Sequence, residues 1–244
     1  MRAFTRNVAR RLHSYSPTDL AVMAWSISCL AYLPPQDWLQ QYFARSHLAL
    51  RSYRPADIVS TLMALVRWGL VPDREYMALL LARAKSLLAA FSPHSHAALL
   101  WALTRLGVWV DVGWLSVQLH HLRAYLQSMD AETVGIVLYS SAMLAPKDGP
   151  KRQRFVEENK GSLWRVVQRS HELVYSAASQ DLYAGLVALA RLQINPGRKY
   201  LKAHVTAAQR HGEGYTEQQV TAMRAAYKWI RQQPVLRPSV ERMR

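Results

Sequence analysis

A 38-residue step organises this chain. Pro17, Pro55 and Pro93 stand 38 apart, as do Tyr15, Tyr53 and Phe91 and, again, Trp38, Tyr76 and Trp114. Trp25, Met63, Trp101 and Tyr139 carry the same step into a fourth unit. A later copy, Val187 to Tyr200, follows the third by 86 residues, which is two periods plus ten. The fourth unit therefore holds about ten extra residues, expected within Ala145 to Gly161, the stretch richest in helix breakers. A sixth, partial unit opens at Tyr215, 38 after Ala177, and runs to Ile230. Periods of this length mean stacked supersecondary units, because one such unit cannot bury its own apolar face.

Each unit reads as a helical hairpin. Ser16-Pro17 and Ser92-Pro93 supply a side-chain acceptor at the N-cap and Pro at the first helical position, where its missing N–H costs nothing. Leu20, Met23, Ala24, Ile27 and Leu30 then keep helical spacing, as do Ile58, Leu62, Leu65 and Trp68. Gly69 and Gly107 fall where a left-handed residue ends the first helix, and Pro34-Pro35, Pro72 and Pro196 bar its continuation. Second helices are expected to start near Gln36, Arg74 and Val112. No segment alternates with period two. The fold class is all-α, an α-solenoid of five to six helix-turn-helix repeats. Residues 1–14 form a basic arm, 15–231 the solenoid and 232–244 a basic tail. At least five stacked pairs are expected, with Trp25, Leu62, Trp101, Leu138 and Leu186 buried between them. Residues Pro146 to Gly161 are expected as a loop or short irregular extension.

Composition narrows the partners. The 31 Lys and Arg outnumber the 16 Asp and Glu, a net charge of +15. Excess positive charge on a tightly patterned apolar array suits a polyanion; a cationic surface with no partner is the plainer alternative. The single cysteine, Cys29, excludes an internal disulfide and a cysteine-cluster zinc site, and it fits a reducing compartment. The longest apolar run, Leu20 to Leu33, is interrupted by Ser26 and Ser28 and stops at a Pro pair, too short to span a bilayer. The first residues carry Arg2, Arg6, Arg10 and Arg11 with no acid before Asp19. That pattern suits either an organellar presequence or an arm for a phosphate backbone.

The first helix of the third unit ends Trp101-Ala-Leu-Thr-Arg-Leu-Gly107, the later copy reads Ala188-Leu-Ala-Arg-Leu-Gln193, and the first turn reads Pro34-Pro-Gln-Asp-Trp38. These resemble the WALxRLG and PPPEW elements of the octotricopeptide repeat family, which is similar in turn to the heptatricopeptide and RAP-associated helical repeats. Units two and three depart from the second element, and unit four has lost it. The resemblance covers about Tyr15 to Ile230. It implies an organellar RNA-binding solenoid acting in transcript stability, translation or splicing, or built into an organellar ribosome.

Charge distribution proposes the contacts. No acid lies between Asp181 and Glu213, while Arg191, Arg198, Lys199, Lys202 and Arg210 do; Lys228 and Arg231 follow. The inserted stretch and its helix bring Lys147, Lys151, Arg152, Arg154, Lys160, Arg165 and Arg169. Of these, Lys151, Arg152 and Arg154 are expected to face rRNA. Along the first helices a stripe of small residues is bordered by Arg67 and Arg105, and by Arg191 in the later copy. It suits either a base with a phosphate donor beside it or close helix packing with Arg at a helix C-terminus. The aromatic columns Trp25/Trp101/Tyr139 and Trp38/Trp114/Tyr200 are expected as inter-repeat core. His94, His96, His120 and His121 lack a carboxylate or cysteine at metal-ligand spacing, and no nucleophile, zinc or phosphate-loop motif occurs.

The leading expectation is therefore a non-catalytic RNA-binding protein of an organellar ribosome, mitochondrial with chloroplast as the alternative, gripping rRNA phosphates beside neighbouring ribosomal proteins. No cofactor, metal, membrane or small-molecule substrate is implied. A free factor for one transcript's stability or translation is the runner-up, and a protein-binding scaffold the third reading.

Overall fold

In the computed structural model the described residues are Asn7 and 11–236. Arg2, Arg6 and Arg10 of the basic arm, and Arg237, Arg242 and Arg244 of the tail, lie outside them. The chain divides into two compact units, Met1–Val108 and Trp109–Arg244.

Unit 1 holds α1 (Pro17–Cys29), α2 (Gln36–Ala49), α3 (Pro55–Trp68), α4 (Arg74–Ser86) and α5 (Pro93–Leu106). Unit 2 holds α6 (Val112–Leu122), α7 (Ala131–Leu144), α8 (Gly149–Glu158), α9 (Lys160–Glu172), α10 (Ser179–Leu192), α11 (Arg198–Arg210) and α12 (Glu217–Ile230). In unit 1 the first helices α1, α3 and α5 lie side by side, with α2 and α4 as a second layer. In unit 2, α7, α10 and α12 form the corresponding row, and α6, α9 and α11 the second. The fold is all-α, with the layered helix packing of an α-solenoid. Among the described residues the only sheet-like pairing is a lone bridge between Asn195 and Val235.

The helix boundaries follow from local chemistry. Ser16 and Ser92 accept at their N-caps from the amides of Asp19 and Ser95, with Pro at the next position. Second helices start at Gln36, Arg74 and Val112 as expected, the latter two capped by Asp73 and Asp111. Gly69 and Gly107, both at φ 65°, end α3 and α5 in the left-handed region. Ala31 and Gln193 occupy the equivalent places at φ 51° and 61° without glycine's freedom.

The core expectation holds for Leu62, Leu138 and Leu186, all fully buried. It fails for Trp25 and Trp101, which are only half-buried, as are Met63 and Tyr139 in the same column. The reason is helical phase. The buried side of α1 runs through Leu20, Ala24 and Ile27, with Ala21 and Ser28 at its edge. At about 100° per residue, Trp25 lies past that edge. The second column does build core: Trp38, Tyr76, Trp114 and Tyr200 are buried. Trp38 stacks on Tyr42 with centroids 5.3 Å apart. The Ser46 hydroxyl sits 2.6 Å from the Tyr76 phenol and 2.8 Å from that of Tyr53. Ser170 and Tyr200 repeat that contact at 3.0 Å in unit 2.

The extra residues of the fourth repeat are not the irregular extension expected. They form α8, a regular ten-residue helix. Asp148 caps it through the Lys151 amide, and Gly149-Pro150 fall in its first turn, where helix breakers are tolerated. Phe155 and Val156 are buried, so α8 is part of the packed structure. Pro146 disfavours helical backbone at Ala145, which is extended at ψ 153°, and the chain leaves α7 without the left-handed turn of its neighbours.

Candidate nucleic-acid interface

In unit 2, Arg198 and Lys202 lie one turn apart on α11, and Arg231 follows α12. All three line one open groove of about 620 Å³, floored by Leu201, Val205 and Val235, and no carboxylate lines it. What brings Arg231 to α11 is the returning chain. The Leu236 amide donates to the Asn195 carbonyl at 2.9 Å, and the Asn195 side-chain amide donates to the Gln233 carbonyl at 2.8 Å. Residues 232–236, assigned to the tail from sequence, are thus pinned to the turn before α11. Gly197, the N-cap of α11, offers no side chain to its first amides, unlike Asp73 and Asp111 at the equivalent helices. The groove brings three cations together with no carboxylate among its lining residues.

The other nominated residues divide by what they already hold. Lys199, Lys228 and Lys151 are exposed. Arg210 lies over the exposed Tyr175 ring, 4.7 Å from its centroid. Arg191 is half-buried and donates its Nε to the Ala142 carbonyl at 2.8 Å, which fastens α10 to the end of α7. Arg154 pairs with Glu158 one turn along α8 at 2.7 Å, and Arg152 reaches the Lys147 carbonyl.

In unit 1 the half-buried Trp column meets the two remaining nominees. The Arg67 guanidinium lies 4.8 Å from the centroid of Trp25, and Arg105 lies 5.8 Å from that of Trp101. Both arginines are exposed, and neither makes a hydrogen bond or ion pair to the described residues.

Three further arginines, among them Arg169 of the helix that follows the insertion, have a structural task. Arg45 donates to the Tyr15 carbonyl at 3.1 Å and Arg83 to the Tyr53 carbonyl at 2.9 Å, a reach of 30 residues each time. Arg169 does the same for Met129 at 3.0 Å, across 40 residues because α8 intervenes. Each latches a second helix to the segment leading into the first helix of the same repeat. The 38-residue spacing of Arg45 and Arg83 was the signal for this role, and it was available in the sequence.

The titratable groups of the core are structural too. Burial pushes the Tyr200 phenol up to about 12, its bond to Ser170 opposing the shift. Burial holds His204 below its ordinary range, and its Nε2–H donates to the Leu182 carbonyl at 3.0 Å while Nδ1 meets the Tyr227 phenol at 2.6 Å. His96 is buried against Phe91. Among the described residues no group of three or more His, Cys, Asp or Glu is placed to hold a metal ion. No helix among them is long and apolar enough to cross a membrane.

A family model described as the Tbc2 translation factor, N-terminal domain, matches residues 4–108. That span ends at Val108, where unit 1 ends. No curated protein matches. Unit 1 is thus similar to a domain of a translation factor, and the groove of unit 2 lies beyond the match.

Proposed function

We propose that the protein is a non-catalytic RNA-binding repeat protein of organellar translation, held in the mitochondrial ribosome through rRNA phosphates. The observation that carries this reading is the groove in which Arg198, Lys202 and Arg231 converge without a carboxylate. Phosphate contacts position a protein without reading sequence, as a structural component of a folded RNA requires. The resemblance of the repeat motifs to those of octotricopeptide proteins supports an organellar setting for this reading. Neighbouring ribosomal proteins are the remaining partners under this reading.

A second reading, a free organellar factor that serves one transcript's stability or translation, is favoured by the translation-factor similarity of residues 4–108. Sedimentation of organelle lysate separates the two. Co-migration with a ribosomal subunit through a high-salt wash is the expected result. RNase-sensitive migration away from ribosomes favours the free factor. Migration in a smaller complex that is indifferent to RNase overturns both.

A further inference from the structure

We infer that unit 1 carries two base-stacking stations for single-stranded RNA, Trp25 with Arg67 and Trp101 with Arg105. The inference rests on the RNA-binding reading above and adds the class of RNA and the chemistry of its capture.

The two stations draw on the same two repeat columns but pair them differently: Arg67 of α3 lies against Trp25 of α1, whereas Arg105 follows Trp101 by one turn of α5. Trp25 and Trp101 occupy one repeat position two periods apart, and Arg67 and Arg105 occupy another, one period apart. Both residues stand on the row of first helices, outside the buried arc, and both are partly exposed. Met63 lies between the two in the same column, on α3, so the strip from α1 to α5 stays apolar.

The arginines point the same way. Elsewhere Arg45, Arg83, Arg169 and Arg191 are spent on backbone carbonyls, and Arg54 and Arg154 on carboxylates. Among the described residues, Arg67 and Arg105 rest against indole alone and donate no hydrogen bond. A guanidinium held on an aromatic face keeps its in-plane donors free for phosphate, while the ring beside it offers a stacking surface to any base. Single strands are captured by this combination, because every base has a π-face and an unstacked base is available only outside a duplex. With neighbouring helices about 8–10 Å apart, α1 and α5 set the two stations roughly 16–20 Å apart, a span a strand of several nucleotides crosses.

The test uses the full chain labelled with 5-fluorotryptophan and observed by fluorine NMR, each resonance assigned by a Trp→Phe variant. Oligouridylate should shift the Trp25 and Trp101 resonances, whereas inorganic polyphosphate, a polyanion without bases, should leave them in place. Trp25→Leu and Trp101→Leu should each weaken oligouridylate binding by roughly 5- to 150-fold, the range for one stacked base. Trp25→Phe and Trp101→Phe should retain most of it, and polyphosphate affinity should not change in any of the four. If oligouridylate binds with ordinary salt dependence while both resonances stay fixed, the stations are overturned and the RNA reading stands. Equal losses for oligouridylate and polyphosphate in the Leu variants assign the indoles a packing role and also overturn the inference. If oligouridylate does not bind even at low salt, the RNA-binding reading itself fails.

Discussion

His204 shows how a single side chain couples the second unit to pH. Its ring is 1% exposed and bridges α10 and α12, donating to the Leu182 carbonyl and meeting the Tyr227 phenol. Burial lowers its pKa from the ordinary 6.5. The unfolded chain therefore takes up a proton as pH falls through about 6.5, and the native chain resists until lower pH. By linkage this contribution to stability is complete above that range and is lost as pH falls below it. Urea unfolding from pH 7.5 to 4.5 should show the loss in the wild type, and His204→Gln should flatten the slope. Identical slopes would remove His204 as the sensor. The residue scale is also where sequence reading was weakest. The recurrence of Trp25 and Trp101 was plain, but their place relative to the buried arc depends on a rotation of one residue about the helix axis. Composition at the position is the same whether it faces core or edge.

Among the elements, α8 departs furthest from the repeat. Helix starts at Gln36, Arg74 and Val112 were legible because proline turns and capping aspartates are local signals. In α8 the same signals misled: Gly149-Pro150 read as breakers, yet after the Asp148 cap they fit the first turn of a helix. Its anchorage is tertiary. Phe155 is 1% exposed, so Phe155→Ala should destabilise unit 2 by about 3–5 kcal/mol, the cost of emptying a large aromatic site. Arg154→Ala, which breaks only an exposed pair with Glu158, should change stability by less than about 1 kcal/mol. Chemical denaturation of both variants decides between a packed helix and a surface appendage, since an appendage would make the two costs alike. The groove was half legible in the same sense. Arg198 and Lys202 at helical spacing announce a shared face, but Arg231 joins them only through the return of residues 232–236 to Asn195.

Across the whole molecule, the charge of +15 should appear as a salt dependence of RNA affinity. Three phosphate contacts from Arg198, Lys202 and Arg231 contribute about 0.7 each to the slope of log affinity against log salt on a single strand. Replacing all three with Ala should flatten that slope by about 2, to the same extent for RNAs of unrelated sequence. Filter binding over several salt concentrations measures it, and an unchanged slope would remove the groove from the interface. The latches set by Arg45, Arg83 and Arg169 bear on how such an array can change over generations. Each arginine and the carbonyl it grips belong to one repeat, so duplicating or losing a whole 38-residue module carries lock and keeper together. Growth inside a module is tolerated as well, since Arg169 still reaches Met129 with a ten-residue helix placed between them. A chain closed in this way can lengthen or shorten by gene rearrangement without redesign of the joints that remain.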